Sequence, residues 1–90
     1  MLKRKIKVKP STRFKRSFVK LPKNIQRLAV EKEAIFVNNP FDPKLRTHKL
    51  KGKLEGLWSF SLNYSYRIVL EFIRRDQVVF YDIGDHQIYK

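Results

Sequence analysis

Residues 38–43 read Asn-Asn-Pro-Phe-Asp-Pro, and no helix continues through them, because proline lacks the backbone N–H and drives its predecessor out of the α region. Different periodicities lie on the two sides. On the N-terminal side Ile6 and Val8 alternate with Lys5, Lys7 and Lys9, the pattern of a short strand with one buried face and a lysine-guarded edge. Pro10 ends it. Ser11 suits the N-cap of a helix carrying Phe14, Phe18 and Leu21 at helical spacing, and Pro22 suits the first turn of a second helix. That second helix shows one stripe, Ile25, Leu28, Ala29, Lys32, Ile35 and Phe36, which is apolar except for its lysine.

Beyond the breaker the period changes from helical to twofold. Residues 44–56 read as an irregular connection holding Gly52 and Gly56, anchored to the core by Leu45, Leu50 and Leu54. Trp58, Phe60 and Leu62 then alternate with Ser59, Ser61 and Asn63, a strand with one polar face. Residues 66–73 and 78–84 form two more strands, joined by a tight turn at residues 74–77. The expected fold is α+β in a single domain over residues 1–90, with two antiparallel helices on a mainly antiparallel four-stranded sheet in the order β-α-α-β-β-β.

Charge narrows the partner. The formal net charge is +13; residues 1–53 hold 17 Lys or Arg against three Asp or Glu, net +14, while residues 54–90 hold four against five, net −1. A polyanion is the simplest complement, since each phosphate neutralised releases condensed counterions. An acidic protein or an anionic membrane surface answers the same field, although neither helix has a lysine-flanked aromatic face. With no cysteine and two histidines, a thiolate metal site, a disulfide framework and a tight zinc or iron centre are all unexpected. The basic first nine residues have no apolar stretch behind them and no segment suits a bilayer, so a soluble cytoplasmic protein without membrane contact is expected.

No glycine-rich phosphate loop, Ser-His-Asp order or metalloprotease helix occurs. The chemistry-bearing residues of the strand region are His48, Lys49, Lys51, Arg67, Asp82, Asp85, His86 and Tyr89. These types suit RNA cleavage without a metal or other cofactor: a base takes the 2'-OH proton, a cation holds the phosphate oxygens, and an acid protonates the leaving 5' oxygen. Trp58 and Phe60 are expected to pack under the helices, whereas Tyr64 and Tyr66 fit either core packing or base stacking.

His48-Lys49-Leu50-Lys51-Gly52, Gly56-Leu57-Trp58-Ser59, Tyr66-Arg67-Ile68-Val69 and Asp82-Ile83-Gly84-Asp85-His86-Gln87-Ile88-Tyr89, with Leu21-Pro22 and Asn39-Pro40-Phe41-Asp42-Pro43, occur in one order. In that order they resemble the RelE/ParE superfamily of bacterial toxins, closest to the YoeB-like and YafQ-like mRNA interferases. The resemblance implies a type II toxin that enters the ribosomal A site, contacts ribosomal RNA, cuts mRNA as an endoribonuclease and is held by a cognate antitoxin protein. It implies that Arg67 stabilises the scissile phosphate, that His86 is the catalytic histidine, most simply the acid, that His48 stands at the place of the general base, and that Tyr89 stacks on or orients a nucleotide. Lys49 and Lys51 are expected to hold phosphates of the RNA, with Asp82 and Asp85 beside the substrate; Asp82 either orients His86 or pairs with a lysine. Two positions depart from the YafQ-like pattern: Ser65 aligns with an aspartate, and Asp82 lies near a basic position. The division of acid and base roles stays open. Two alternatives remain, a gyrase-poisoning ParE-like toxin and a non-catalytic basic protein that binds RNA or the ribosome.

Overall fold

A computed structural model describes residues 5–85. The elements are β1 (Lys7–Pro10), α1 (Thr12–Val19), α2 (Lys23–Asn38), β2 (His48–Lys49), β3 (Trp58–Ser61), β4 (Tyr66–Arg74) and β5 (Gln77–Asp85), with 3₁₀ turns at Pro43–Leu45 and Gly52–Leu54. They form one five-stranded sheet in the order β1-β5-β4-β3-β2. The meander β3-β4-β5 is antiparallel, as the short turns between its strands require, whereas β1 runs parallel to β5. The fifth strand corrects the expectation of four. It is β2, two residues long inside the polar connection, paired as His48 with Ser59 and Lys49 with Trp58. Two residues are too few to show a period.

α1 begins where Ser11 caps it: the Ser11 hydroxyl accepts from the Phe14 N–H at 3.0 Å and donates to the Tyr81 carbonyl at 2.8 Å. One side chain thereby satisfies a free helix donor and fastens the helix to β5. The C-terminal end of α1 is covered from α2, since the Gln26 amide donates to the carbonyls of Phe18 and Leu21. Pro22 occupies the N-cap of α2, and its carbonyl accepts from Ile25 and Gln26. The stripe on α2 then buries Ile25, Ala29 and Phe36 against the sheet, while Lys32 stays half-buried.

Phe36, Phe60 and Phe80 meet at the centre, with ring centroids 4.8 Å apart for Phe36 and Phe60 and 5.6 Å for Phe36 and Phe80. All three are fully buried. Phe60 therefore packs under the helices as expected. Trp58 belongs instead to an edge cluster, 5.5 Å from Phe41 and 5.4 Å from Phe72. Among the described residues no helix is long and apolar enough to cross a membrane, and no group of three or more metal-ligating side chains occurs.

Candidate functional site

β3 and β4 are joined by a hairpin whose tip is Asn63, Tyr64 and Ser65. The Leu62 N–H donates to the Tyr66 carbonyl at 2.8 Å, and the Asn63 side-chain oxygen accepts from the N–H groups of Ser65 and Tyr66 at 2.9 and 2.8 Å. An asparagine whose side chain mimics a backbone acceptor fixes such a turn. Directly after the tip, Arg67 stands in register with Ser61 on one side and Gly84 on the other. Paired residues share a face of the sheet, so Arg67, Ser61, Ser59 and His48 all lie on one face. Strand spacing and rise separate the Cα atoms of His48 and Arg67 by roughly 12 Å.

Arg67 lines an open cleft of about 650 Å³ with Lys32, Lys44, Arg46, Asn63 and Tyr64. Among the described residues four cations border this space and no acidic residue lines it. Lys32 comes from α2, Lys44 and Arg46 from the turn after it, and Arg67 from β4. In sequence they are scattered; only the fold gathers them. The single detectable signal was the lysine inside the apolar stripe of α2.

Arg46 has φ 53°, the one left-handed non-glycine residue among those described. This turn out of the 3₁₀ segment leads into β2, and the Arg46 carbonyl lies 2.9 Å from His48 Nδ1. A carbonyl oxygen only accepts, so Nδ1 must carry the proton, and in a neutral ring Nε2 is then left with its lone pair. That is the state a proton acceptor requires. His48 is exposed and lies outside the lining of the Arg67 cleft.

The other expected site residues fall elsewhere. Lys49 pairs with Trp58 and so faces away from His48, its ammonium 5.5 Å from the indole centroid, a cation–π distance. With Lys51, Gly52, Glu55 and Gly56 it borders a separate cleft. Asp85 pairs with Tyr66, on the face opposite Arg67. Asp82 is 8 % exposed and engaged with α1: one carboxylate oxygen accepts from Ser17 Oγ at 2.6 Å and from the Ile83 N–H at 2.9 Å, the other from Arg13 Nε at 3.0 Å. The partner of Asp82 is thus an arginine and a serine of a helix. The structure does not gather Lys49, Lys51, Asp82 or Asp85 with Arg67, and His86 and Tyr89 lie outside the described residues. Of the two tyrosines left open, Tyr66 packs on the core and Tyr64 is 97 % exposed.

Among the described residues two groups have displaced proton affinities, and neither lines the cleft. The Tyr81 hydroxyl donates to a Glu71 carboxylate oxygen at 2.7 Å, and that bond, reinforced by desolvation and the carboxylate charge, raises its pKa. Glu33 is raised by burial alone. It borders an apolar groove of about 290 Å³ between the helices and the sheet, beside Phe14, Phe18, Val19 and Val30.

No family model and no curated protein sequence matches the chain. Solved structures do. A chain of the toxin-antitoxin complex RelBE2 from Mycobacterium tuberculosis superposes with a TM-score of 0.76 at 21 % identity, over 91 % of this chain and 99 % of that one. YafQ from Escherichia coli gives 0.74 at 15 % identity over 93 % and 97 %. The YoeB/ParE toxin from Agrobacterium tumefaciens gives 0.74 at 14 % identity over 90 % and 99 %. At these identities the likeness concerns the backbone, and it extends over nearly the whole of each chain. This chain is built on the RelE/ParE-like toxin fold, with YoeB and YafQ toxins among its structural neighbours.

Proposed function

We propose that the chain is the toxin of a type II toxin-antitoxin system, a ribosome-dependent endoribonuclease that cuts mRNA in the A site. The observation that carries this reading is that His48 and Arg67, two strands apart, lie on the same face of the sheet, with the His48 Nδ1 proton committed to the Arg46 carbonyl. His48 Nε2 takes the 2'-OH proton, and the 2' oxygen attacks the adjacent phosphorus. Arg67 holds the non-bridging oxygens as charge builds on them. The bond from phosphorus to the 5' oxygen breaks, and His86 protonates that oxygen. The products are a 2',3'-cyclic phosphate and a 5'-hydroxyl. Tyr89 orients the nucleotide by stacking.

The test is cleavage of a defined mRNA on translating ribosomes by the purified chain. The expected products carry those two termini, and His86→Ala or His48→Ala slows their formation roughly 10²- to 10⁴-fold. Full activity in both variants would overturn the site. Intact mRNA beside double-strand DNA breaks in arrested cells would overturn the reaction.

The RelBE2 structure is a toxin-antitoxin complex, and the strongly basic charge here calls for an acidic antitoxin that folds on binding. Co-expression of a neighbouring reading frame should restore growth and yield a co-purifying complex. Failure of every adjacent gene to do so would contradict the toxin role.

A further inference from the structure

Tyr64 has no folding reason to be where it is. It is 97 % exposed, so its ring gains no burial, yet the hairpin tip that carries it is held on both sides by the Asn63 side chain and by the Leu62 to Tyr66 backbone bond. An Arg67 guanidinium nitrogen also donates to the Tyr64 carbonyl at 3.5 Å. The ring is displayed on a fixed support, at the wall of a cleft bordered by four cations. Arg46 is the second unexplained choice, because it occupies a left-handed backbone conformation that glycine or asparagine adopts readily and an arginine rarely does. The turn alone does not need an arginine, and Arg46 lines the same cleft.

We propose that Tyr64, Lys32, Lys44 and Arg46 form a nucleotide subsite beside Arg67, in which one base of single-stranded RNA stacks on the Tyr64 ring while flanking phosphates lie along the three cations. Every base has a π-face, and an exposed aromatic ring beside a cationic track is the arrangement that binds single strands. A duplex keeps its base faces stacked on one another and offers the ring nothing. The subsite deepens the reading above, since the strand held here is the one presented to Arg67, but it is a binding site and is tested without cleavage.

The experiment measures binding of the full chain to a 2'-O-methyl hexaribonucleotide, which resists 2'-OH attack, and to a hairpin duplex of similar length. Tyr64→Ala should weaken the single strand roughly 5- to 150-fold, the range for losing one stacked base, and leave the duplex unchanged. Tyr64→Phe should stay within about threefold of wild type, because it keeps the ring. Arg46→Gly suits the backbone and Lys44→Gln is exposed, so both should fold. Each should reduce the slope of log affinity against log salt by about 0.7. Binding by Tyr64→Ala within twofold of wild type, or salt slopes unchanged in both charge variants, would overturn the subsite. Tyr64-dependent binding without ribosomal cleavage would overturn the enzymatic reading and leave the subsite standing. Cleavage without Tyr64-dependent binding would do the reverse.

Discussion

The Arg46 carbonyl does for His48 what the side chain cannot do for itself: it decides which ring nitrogen holds the proton. A backbone acceptor cannot be deleted by side-chain substitution, but the left-handed turn at Arg46 that presents it can be disturbed. The same scale explains Glu33. Burial raises its carboxyl pKa above the ordinary value of 4.5, so the folded state binds that proton more tightly than the unfolded chain does. Its stabilising contribution is complete below about pH 4.5 and is lost as pH rises through the folded value. Glu33→Gln imitates the protonated form and should therefore raise the melting temperature at pH 7 more than at pH 4; an equal shift at both would contradict the burial account. Single residues were unevenly legible in the sequence. His48 stood out as one of two histidines, and Arg67 only through the resemblance carried by Tyr66-Arg67-Ile68-Val69. Asp82 was legible as a charge but not as a contact, because its partners Arg13 and Ser17 lie about seventy positions away in the chain.

At the scale of elements, α1 is too short to be stable alone, and it depends on what ties it down. Ser11 caps it and reaches Tyr81; Asp82 receives Arg13 and Ser17 where a bulge at Tyr81 bends β5. Asp82→Ala removes the acceptor of the part-buried Ser17 hydroxyl and the buried Ile83 N–H and should cost roughly 1–3 kcal/mol, which lowers the melting temperature by about 4–8 °C per kcal/mol in a domain of this size. Arg13 is 73 % exposed, so Arg13→Ala should cost less than about 1 kcal/mol. Ser11→Ala should lie near 1 kcal/mol. Thermal melts of the three variants check the ranking, and an Arg13 variant as damaged as the Asp82 variant would contradict it. The helices and the strands β1, β3, β4 and β5 were legible because each spans enough residues to show a period. β2 was not, since its two residues owe their pairing to β3 alone. The parallel pairing of β1 with β5 depends on the return path through both helices, which no local pattern records.

Across the whole molecule the charge asymmetry of the sequence takes on a shape. Three of the four cleft cations come from the basic first half, and the fourth, Arg67, comes from the second half, whose net charge is −1. Folding places cations of one half beside the meander of the other. Binding of single-stranded RNA should accordingly show a log–log salt slope near −3, about 0.7 for each of four contacts. A slope shallower than about −1 would mean that the cleft does not track a phosphate backbone. The central claim is that Arg67 serves phosphate chemistry on the ribosome, and it is tested most directly by induced expression of wild type and Arg67→Ala with mapping of mRNA 5' ends. The account predicts that wild type arrests growth and cuts translated mRNA. Arg67→Ala should melt close to wild type, cut roughly 10²- to 10³-fold less and let growth continue. Arrest by Arg67→Ala as complete as by wild type, with mRNA cut to the same extent, would contradict it.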